Sequence, residues 1–201
     1  MKIAVFVSGR GSNLQSILQS RELTDLIEIK AVVSDKIECG AFEIAKMYSV
    51  PTFSLGEKDG LISYNDLSNF LSQLGIDLIV LAGFLKLIPH SVVREFKGKI
   101  INIHPALLPS FGGEGMYGMN VHRAVYDSSA KVSGASVHFV DESYDTGTII
   151  AQECVDIKDV KSPEEIAERV LKIEHRILPY VIKKIAEAKV SIKNNRVEIT
   201  G

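Results

Sequence analysis

Cysteine is scarce in this chain. Of 201 residues only Cys39 and Cys154 are cysteines, far apart and without a Cys or His neighbour at ligand spacing. That excludes a disulfide framework and a cysteine-based structural zinc site, and it fits a reducing compartment. An excess of charge of one sign is missing as well. Twenty-three Lys and Arg against 25 Asp and Glu leave a formal charge of −2. Nucleic acid and acidic membranes need a basic field, so neither is an expected partner, and any anion site has to be local. Long apolar runs are absent too. The segment after Lys2 in "MKIAVFVSGR" is too short for a signal-peptide core. The greasiest stretch, "LIVLAGFLKLI" (78–88), is interrupted by Lys86 and is too short to cross a bilayer. No repeat or low-complexity linker occurs. The expectation is a cytoplasmic protein, monomer or homodimer.

What is present is ample material for a core. Hydrophobic residues make up 46% and charged residues 24% of the chain, which suits one globular domain over 1–201. In the first half, "KIAVFV" (2–7), "IKAVVS" (29–34), "PTFSL" (51–55), "DLIVLA" (77–82) and "KIINIH" (99–104) are short and mostly continuous in their apolar character. Strands covered on both faces of a parallel sheet need that pattern. Between them "SNLQSILQS", "GAFEIAKMYS", "YNDLSNFLSQLG" and "PHSVVREFKG" carry helical spacing. The alternation predicts an α/β fold: an open, mostly parallel twisted sheet flanked by helices.

After residue 100 the pattern changes. "VSGASVHFV" (132–140) and "TGTIIAQECVDI" (146–157) predict two longer strands, joined through "DESYD", as an antiparallel C-terminal extension. Ser162, Pro163 and Glu165 form a capping-box signature for a long helix. Its buried stripe would be Ile166, Val170, Ile173, Ile177, Val181 and Ile185, with a kink at Pro179. The tail "SIKNNRVEITG" predicts a hairpin turning at Asn194 and Asn195.

Two places carry chemistry. "VFVSGRGSNLQ" (5–15) is a strand, a turn with Gly9 and Gly11, and a helix starting near Ser12, a layout suited to an anion at a helix N-terminus. The third glycine of a dinucleotide fingerprint would fall at Leu14, and the Lys of a Walker loop is missing. The phosphate of a small monoester therefore fits, although the glycines could simply turn the chain while Ser12 caps the helix. By the same token Asp35, after the second strand, reads as a surface turn residue rather than a ribose ligand.

The second place is "INIHPALLPS" (101–110). Alternation along a strand puts Asn102 and His104 on one side and Ile101 and Ile103 on the other. An amide that donates to an oxyanion and an imidazole that carries a proton suit addition to a carbonyl. The plainer alternative is a strand-end His bonded to backbone and an Asn opening the turn. A carboxylate to set the imidazole's charge would come from Asp141, Glu142 or Asp145 in "HFVDESYDTG" (138–147), which is also an ordinary acidic turn. His138 lies inside a strand with no assigned role. A metal on His104, His138 and Asp145 is chemically conceivable, but no spacing compels it, and none is expected.

"SGRGSNLQ", "VLAGFLKLI", "INIHPALLPSF" and "SVHFVDESYDTGTIIAQ", in that order, resemble the motifs of the folate-dependent glycinamide ribonucleotide formyltransferases. The resemblance runs to the "IEHRILPYVI" helix, and its N-x-H-P-x-L-L-P motif is specific to folate formyl transfer. It implies a Rossmann-like formyltransferase fold, with a phosphate-binding half (1–100) and a catalytic and folate-binding half (101–201). It implies transfer from 10-formyltetrahydrofolate to the amine of glycinamide ribonucleotide in purine biosynthesis. These small molecules would be the partners, and no metal would be needed. Asn102, His104 and Asp145 would be catalytic, with Asp145 keeping His104 protonated. Gly11, Ser12 and Asn13 would hold the acceptor's phosphate, and Lys172 and Glu174 would bind the acceptor. Leu85, Lys86, Leu87 and Ile88, with Asp141 and Glu142, would embrace the folate. Two departures stand out. The 111–122 loop is long and glycine-rich, and no arginine stands just before Tyr64, the nearest preceding cation being Lys58.

Overall fold

The computed structural model describes residues 1–194 and 196–200. Its strands are β1 (Lys2–Val7), β2 (Glu28–Ser34), β3 (Thr52–Ser54), β4 (Leu78–Leu81), β5 (Ile100–His104), β6 (Val132–Phe139), β7 (Ile149–Asp156), β8 (Val190–Lys193) and β9 (Arg196–Ile199). The helices are α1 (Ser12–Gln19), α2 (Gly40–Met47), α3 (Leu67–Gln73), α4 (His90–Glu95), α5 (Met119–Asp127) and α6 (Pro163–Ala186). The sheet order is β3-β2-β1-β4-β5-β6-β7, and β8 and β9 pair separately. This is the mostly parallel α/β sheet with an antiparallel extension that the sequence predicts. The chain divides into two compact units, Met1–Asn102 and Ile103–Gly201.

In the first unit β1 lies in the middle of a parallel array, with β2 on one side and β4 on the other. Ile3, Val5, Phe6 and Val7 of β1 are fully buried, each worth roughly 1.5–3 kcal/mol of apolar transfer. Burial on both faces explains why the strand reads as a run rather than an alternation. The chain order reverses between β1 and β4, so the carboxyl ends of these two strands flank a switch point, the usual ligand crevice of such sheets. β5 pairs with β4 in a register that sets Asn102 opposite Leu81.

The second unit begins inside β5, with Ile103 and His104. β6 and β7 pair antiparallel, with a register shift between Val137 and His138. α6 packs on both strands and against α5. Its start follows the capping signature in part. The Ser162 hydroxyl accepts from Glu165 N at 3.4 Å, but the Glu165 carboxylate takes Lys161 N at 3.0 Å instead of the cap's own N–H. Ile166, Val170, Ile173, Ile177 and Val181 are buried, whereas Ile185 is only half-buried as the helix ends. The helix runs through Pro179, which is buried and has no N–H to donate.

Several elements differ from expectation. α5 occupies Met119–Asp127, so the last four residues of the presumed 111–122 loop are helical. The predicted strand at 146–157 starts at Ile149, and the one at 51–55 shrinks to Thr52–Ser54. The tail forms the expected hairpin, with Asn194 at φ 50°, while Asn195 lies outside the described residues. Among the described residues no helix is long and apolar enough to cross a membrane.

Candidate active site

In the first unit the chain leaves β1 through Ser8 and Gly9 and enters α1 at Gly11. Gly11 is the N-cap, at φ 82°, and no side chain caps the helix. Ser12 is therefore the first helical residue and not the cap. A Cβ on Gly11 would stand 2.6 Å from the Ala41 Cβ and 2.9 Å from its Cα, so the position demands glycine by conformation and by space. Gly9 has open space around it. Its carbonyl accepts from Ala41 N at 3.1 Å and from the Cys39 thiol at 3.2 Å, which seats α2 on the loop. The first turn thus keeps backbone N–H groups of the kind that bind phosphate. Asn13 is buried and Ser12 half-buried.

Ser8 joins this loop to the far side of the switch point. Its N–H donates to Gly83 O at 3.0 Å, its hydroxyl donates to Asp35 at 2.6 Å, and the hydroxyl accepts from Leu85 N at 3.0 Å. Asp35 stands in the bend after β2, as expected, half-buried and bonded to Ser8. Of the expected folate segment, Leu85, Lys86 and Leu87 are exposed and Ile88 is buried. Two leucines held out to solvent on a backbone anchored at Ser8 offer apolar surface to a flat ring.

In the second unit three ionisable side chains converge. His104, 3% exposed, ends β5 with its Nε2 2.8 Å from Phe111 O and its Nδ1 3.5 Å from an Asp145 carboxylate oxygen. His138, 2% exposed, sets its Nδ1 2.7 Å from its neighbour's carbonyl, Phe139 O, and its Nε2 3.5 Å from the other Asp145 oxygen. Asp145 also accepts from Gly113 N at 2.9 Å, in a left-handed conformation (φ 56°) that Asp tolerates better than most residues. Gly112 is needed for this approach. A Cβ there would lie 2.5 Å from Leu108 Cδ2 and 3.2 Å from the Asp145 Cβ.

The charges follow from this packing. Burial pushes His104 below its usual range, and the Asp145 carboxylate and the Phe111 carbonyl only partly oppose it, with His138 adding to the fall. Asp145 therefore favours protonation of His104 without prevailing over desolvation. For Asp145, burial would raise the carboxyl, but the His138 hydrogen bond, the His104 charge and the Gly113 N–H together hold it low. A neutral His104 has one N–H facing two acceptors, Phe111 O and Asp145, so one contact is frustrated. The imidazolium satisfies both.

The turn after His104 is pinned from β6 and β7. The buried Ser136 hydroxyl donates to Ala106 O at 2.6 Å and accepts from Leu108 N at 3.0 Å. The Gln152 amide donates to Leu108 O at 2.9 Å and to Ser136 at 2.8 Å. Behind the cluster His122 on α5 is buried, with its Nδ1 unpartnered, and burial together with the His104 charge lowers it to about 4. Ser136, Gln152 and His122 gave no sequence signal, because their partners are distant in the chain.

Among the other expected residues, Asp141 spends one carboxylate oxygen on its own loop, accepting from Ser143 N at 3.1 Å and from the Thr146 hydroxyl at 2.7 Å. Glu142 is exposed. Lys172 and Glu174 lie two residues apart on α6 and so on different faces. Lys172 is exposed and Glu174 buried. Among the described residues no group of three His, Cys, Asp or Glu side chains is arranged to hold a metal.

The chain belongs to the formyl transferase family, whose model matches residues 1–182, and is a formyl-transferring enzyme. Within that family it is similar to phosphoribosylglycinamide formyltransferases. It is 41% identical to the chloroplastic one of Arabidopsis thaliana, over 98% of this chain and 70% of that protein. It is 37% identical to that of Bacillus subtilis, over 92% and 94%. The crystal structure of the one from Anaplasma phagocytophilum superposes with a TM-score of 0.90 at 34% identity, covering 100% of this chain and 95% of that one.

Proposed function

We propose that the chain transfers a formyl group from 10-formyltetrahydrofolate to the primary amine of glycinamide ribonucleotide, a step of purine biosynthesis, with Asn102, His104 and Asp145 as its catalytic residues. The observation that carries the catalytic part is the buried His104 aligned on Asp145 at the end of β5, two residues after Asn102 on the same strand. The folate supplies the carbonyl, a formyl group on nitrogen. The amine forms a C–N bond to the formyl carbon, and the carbonyl electron pair moves onto oxygen. Asn102 donates its amide N–H to that oxyanion, and His104 donates a ring N–H. Such donors are worth about 10²–10³ in rate each.

For the Nε2 proton of His104 to serve the oxyanion, the Phe111 carbonyl must release it. Once it does, Asp145 holds the imidazolium through Nδ1 while Nε2–H faces the oxyanion and then gives its proton to the folate nitrogen as the old C–N bond breaks. The neutral imidazole left behind takes a proton from the newly bonded amine nitrogen, which restores the imidazolium. The net transfer is one formyl group one way and one proton the other. Gly11, Ser12 and Asn13 hold the acceptor's phosphate on the N–H groups of α1, and Glu174, the buried one of the α6 pair, contacts its remainder. Leu85 to Ile88 and the loop with Asp141 and Glu142 receive the folate.

The test is formylation of the acceptor with and without its phosphate, followed by product mass. Phosphate-dependent product is the expected result. Equal use of both acceptors would remove Gly11, Ser12 and Asn13 from the scheme, and absence of product would remove the scheme itself.

A further inference from the structure

We propose that His138 is a positioning residue that holds Asp145 ionised and aimed at His104. The inference rests on the reading above, in which His104 and Asp145 carry the chemistry. Asp145 stands between two imidazoles in a symmetrical way: each presents one nitrogen at 3.5 Å to a different carboxylate oxygen, and each ties its other nitrogen to a backbone carbonyl. The Phe139 carbonyl, 2.7 Å from Nδ1, fixes the plane of the His138 ring, so Nε2 has a set direction, toward Asp145.

The carboxylate comes from a loop and sits in a left-handed backbone conformation, so its own local structure does little to orient it. His138 instead belongs to β6, inside the antiparallel pair, and is 2% exposed. The strand residue therefore aims the loop residue. The register shift between Val137 and His138 occurs at the residue that makes this contact. Bulges re-aim side chains in this way next to functional sites. A buried carboxylate without donors would favour its neutral form, and neutral Asp145 would no longer attract a proton to His104. The ionisable groups around Asp145 are His104 on β5 and His138 on β6, with His122 on α5 facing His104 from behind.

Two substitutions separate positioning from packing. His138→Gln sets an amide N–H close to the place of Nε2 and keeps a donor on Asp145. His138→Asn sets its N–H nearer the place of Nδ1, keeping the Phe139 bond and losing Asp145. The expected result is a roughly ten-fold fall in kcat for His138→Asn with KM for the amine little changed, the size of one lost charge-assisted hydrogen bond. The acid limb of its kcat profile should move to higher pH, together with the Asp145 carboxyl titration followed by carbon NMR. His138→Gln should recover most of the rate and both titrations.

Equal losses in the two variants, or an unmoved Asp145 titration in His138→Asn, would overturn the proposal. Asp145→Asn serves as the reference. If it too leaves activity intact, the catalytic reading fails; if it abolishes activity while His138→Asn does not, only the role of His138 fails. Thermal unfolding of each variant shows whether a lost rate reflects lost fold.

Discussion

The glycine loop of the first unit and the His104 cluster of the second are built from different material. The loop presents main-chain N–H groups, and what it demands is space, as the 2.6 Å approach of Ala41 to a Cβ on Gly11 shows. The cluster works through side chains delivered by β5, β6 and a loop, each tied by a backbone carbonyl or N–H to its place. A main-chain site tolerates most changes except at the glycine that shapes it. A side-chain site is sensitive at every member and to the acidity of the medium.

The largest expected effect lies in the cluster. His104→Ala or Asn102→Ala should lower kcat by about 10²–10³ in a steady-state formylation assay, and full activity in either variant would strike that residue from the mechanism. Asp145→Asn should come next, with kcat reduced and the His104 imidazole lowered further, because the carboxylate that draws it upward is gone. A proton NMR titration of His104 checks the sign; an unmoved or raised value contradicts it.

On the loop, Gly11→Ala should cost about 2–3 kcal/mol by denaturant unfolding, from a positive φ and an overpacked contact. It should raise KM for the phosphorylated acceptor more than it lowers kcat. Acidity gives a further contrast. His122 and His104 are both lowered when folded, so the folded state binds fewer protons than the unfolded chain. Their contribution is present above the unfolded value near 6.5 and is lost as pH falls toward about 4. For His122 alone that amounts to roughly 3 kcal/mol. His122→Gln should flatten the fall in melting temperature across that window, and an unchanged slope would contradict the assignment. The smallest effect is expected far from both sites: Ser162→Ala should cost about 0.5–1 kcal/mol through the cap of α6.

The same contrast governs what the sequence discloses. β1, α1 and α6 are legible because their signals are local: continuous apolar residues, a glycine before a helix, a serine and proline at a start. Asn102 and His104 are legible as a pair by strand parity. α5 is not, since a nine-residue helix after a glycine-rich stretch buries only Val121, His122 and Val125, too short a stripe to stand out. The late start of β7 is equally hidden, because the shift at Val137 and His138 is a property of the pairing and not of either strand. Residue pattern alone leaves Asp145 level with Asp141 and Glu142, and only the family resemblance picks it out, because the distinction depends on Gly113 and two imidazoles that meet it only in the folded chain. Ser136 and Gln152 stayed invisible for the same reason.

The hydroxyl of Ser8 has a role that extends past its size. One oxygen atom is shared between Asp35 and Leu85, on opposite sides of the first strand. Any ligand that draws the 85–88 backbone away must give up part of what steadies the neighbouring turn, and by reciprocity an occupant of that turn changes the cost of moving the backbone. Coupling between these two segments thus needs no travelling helix or hinge, only the sharing of a single atom.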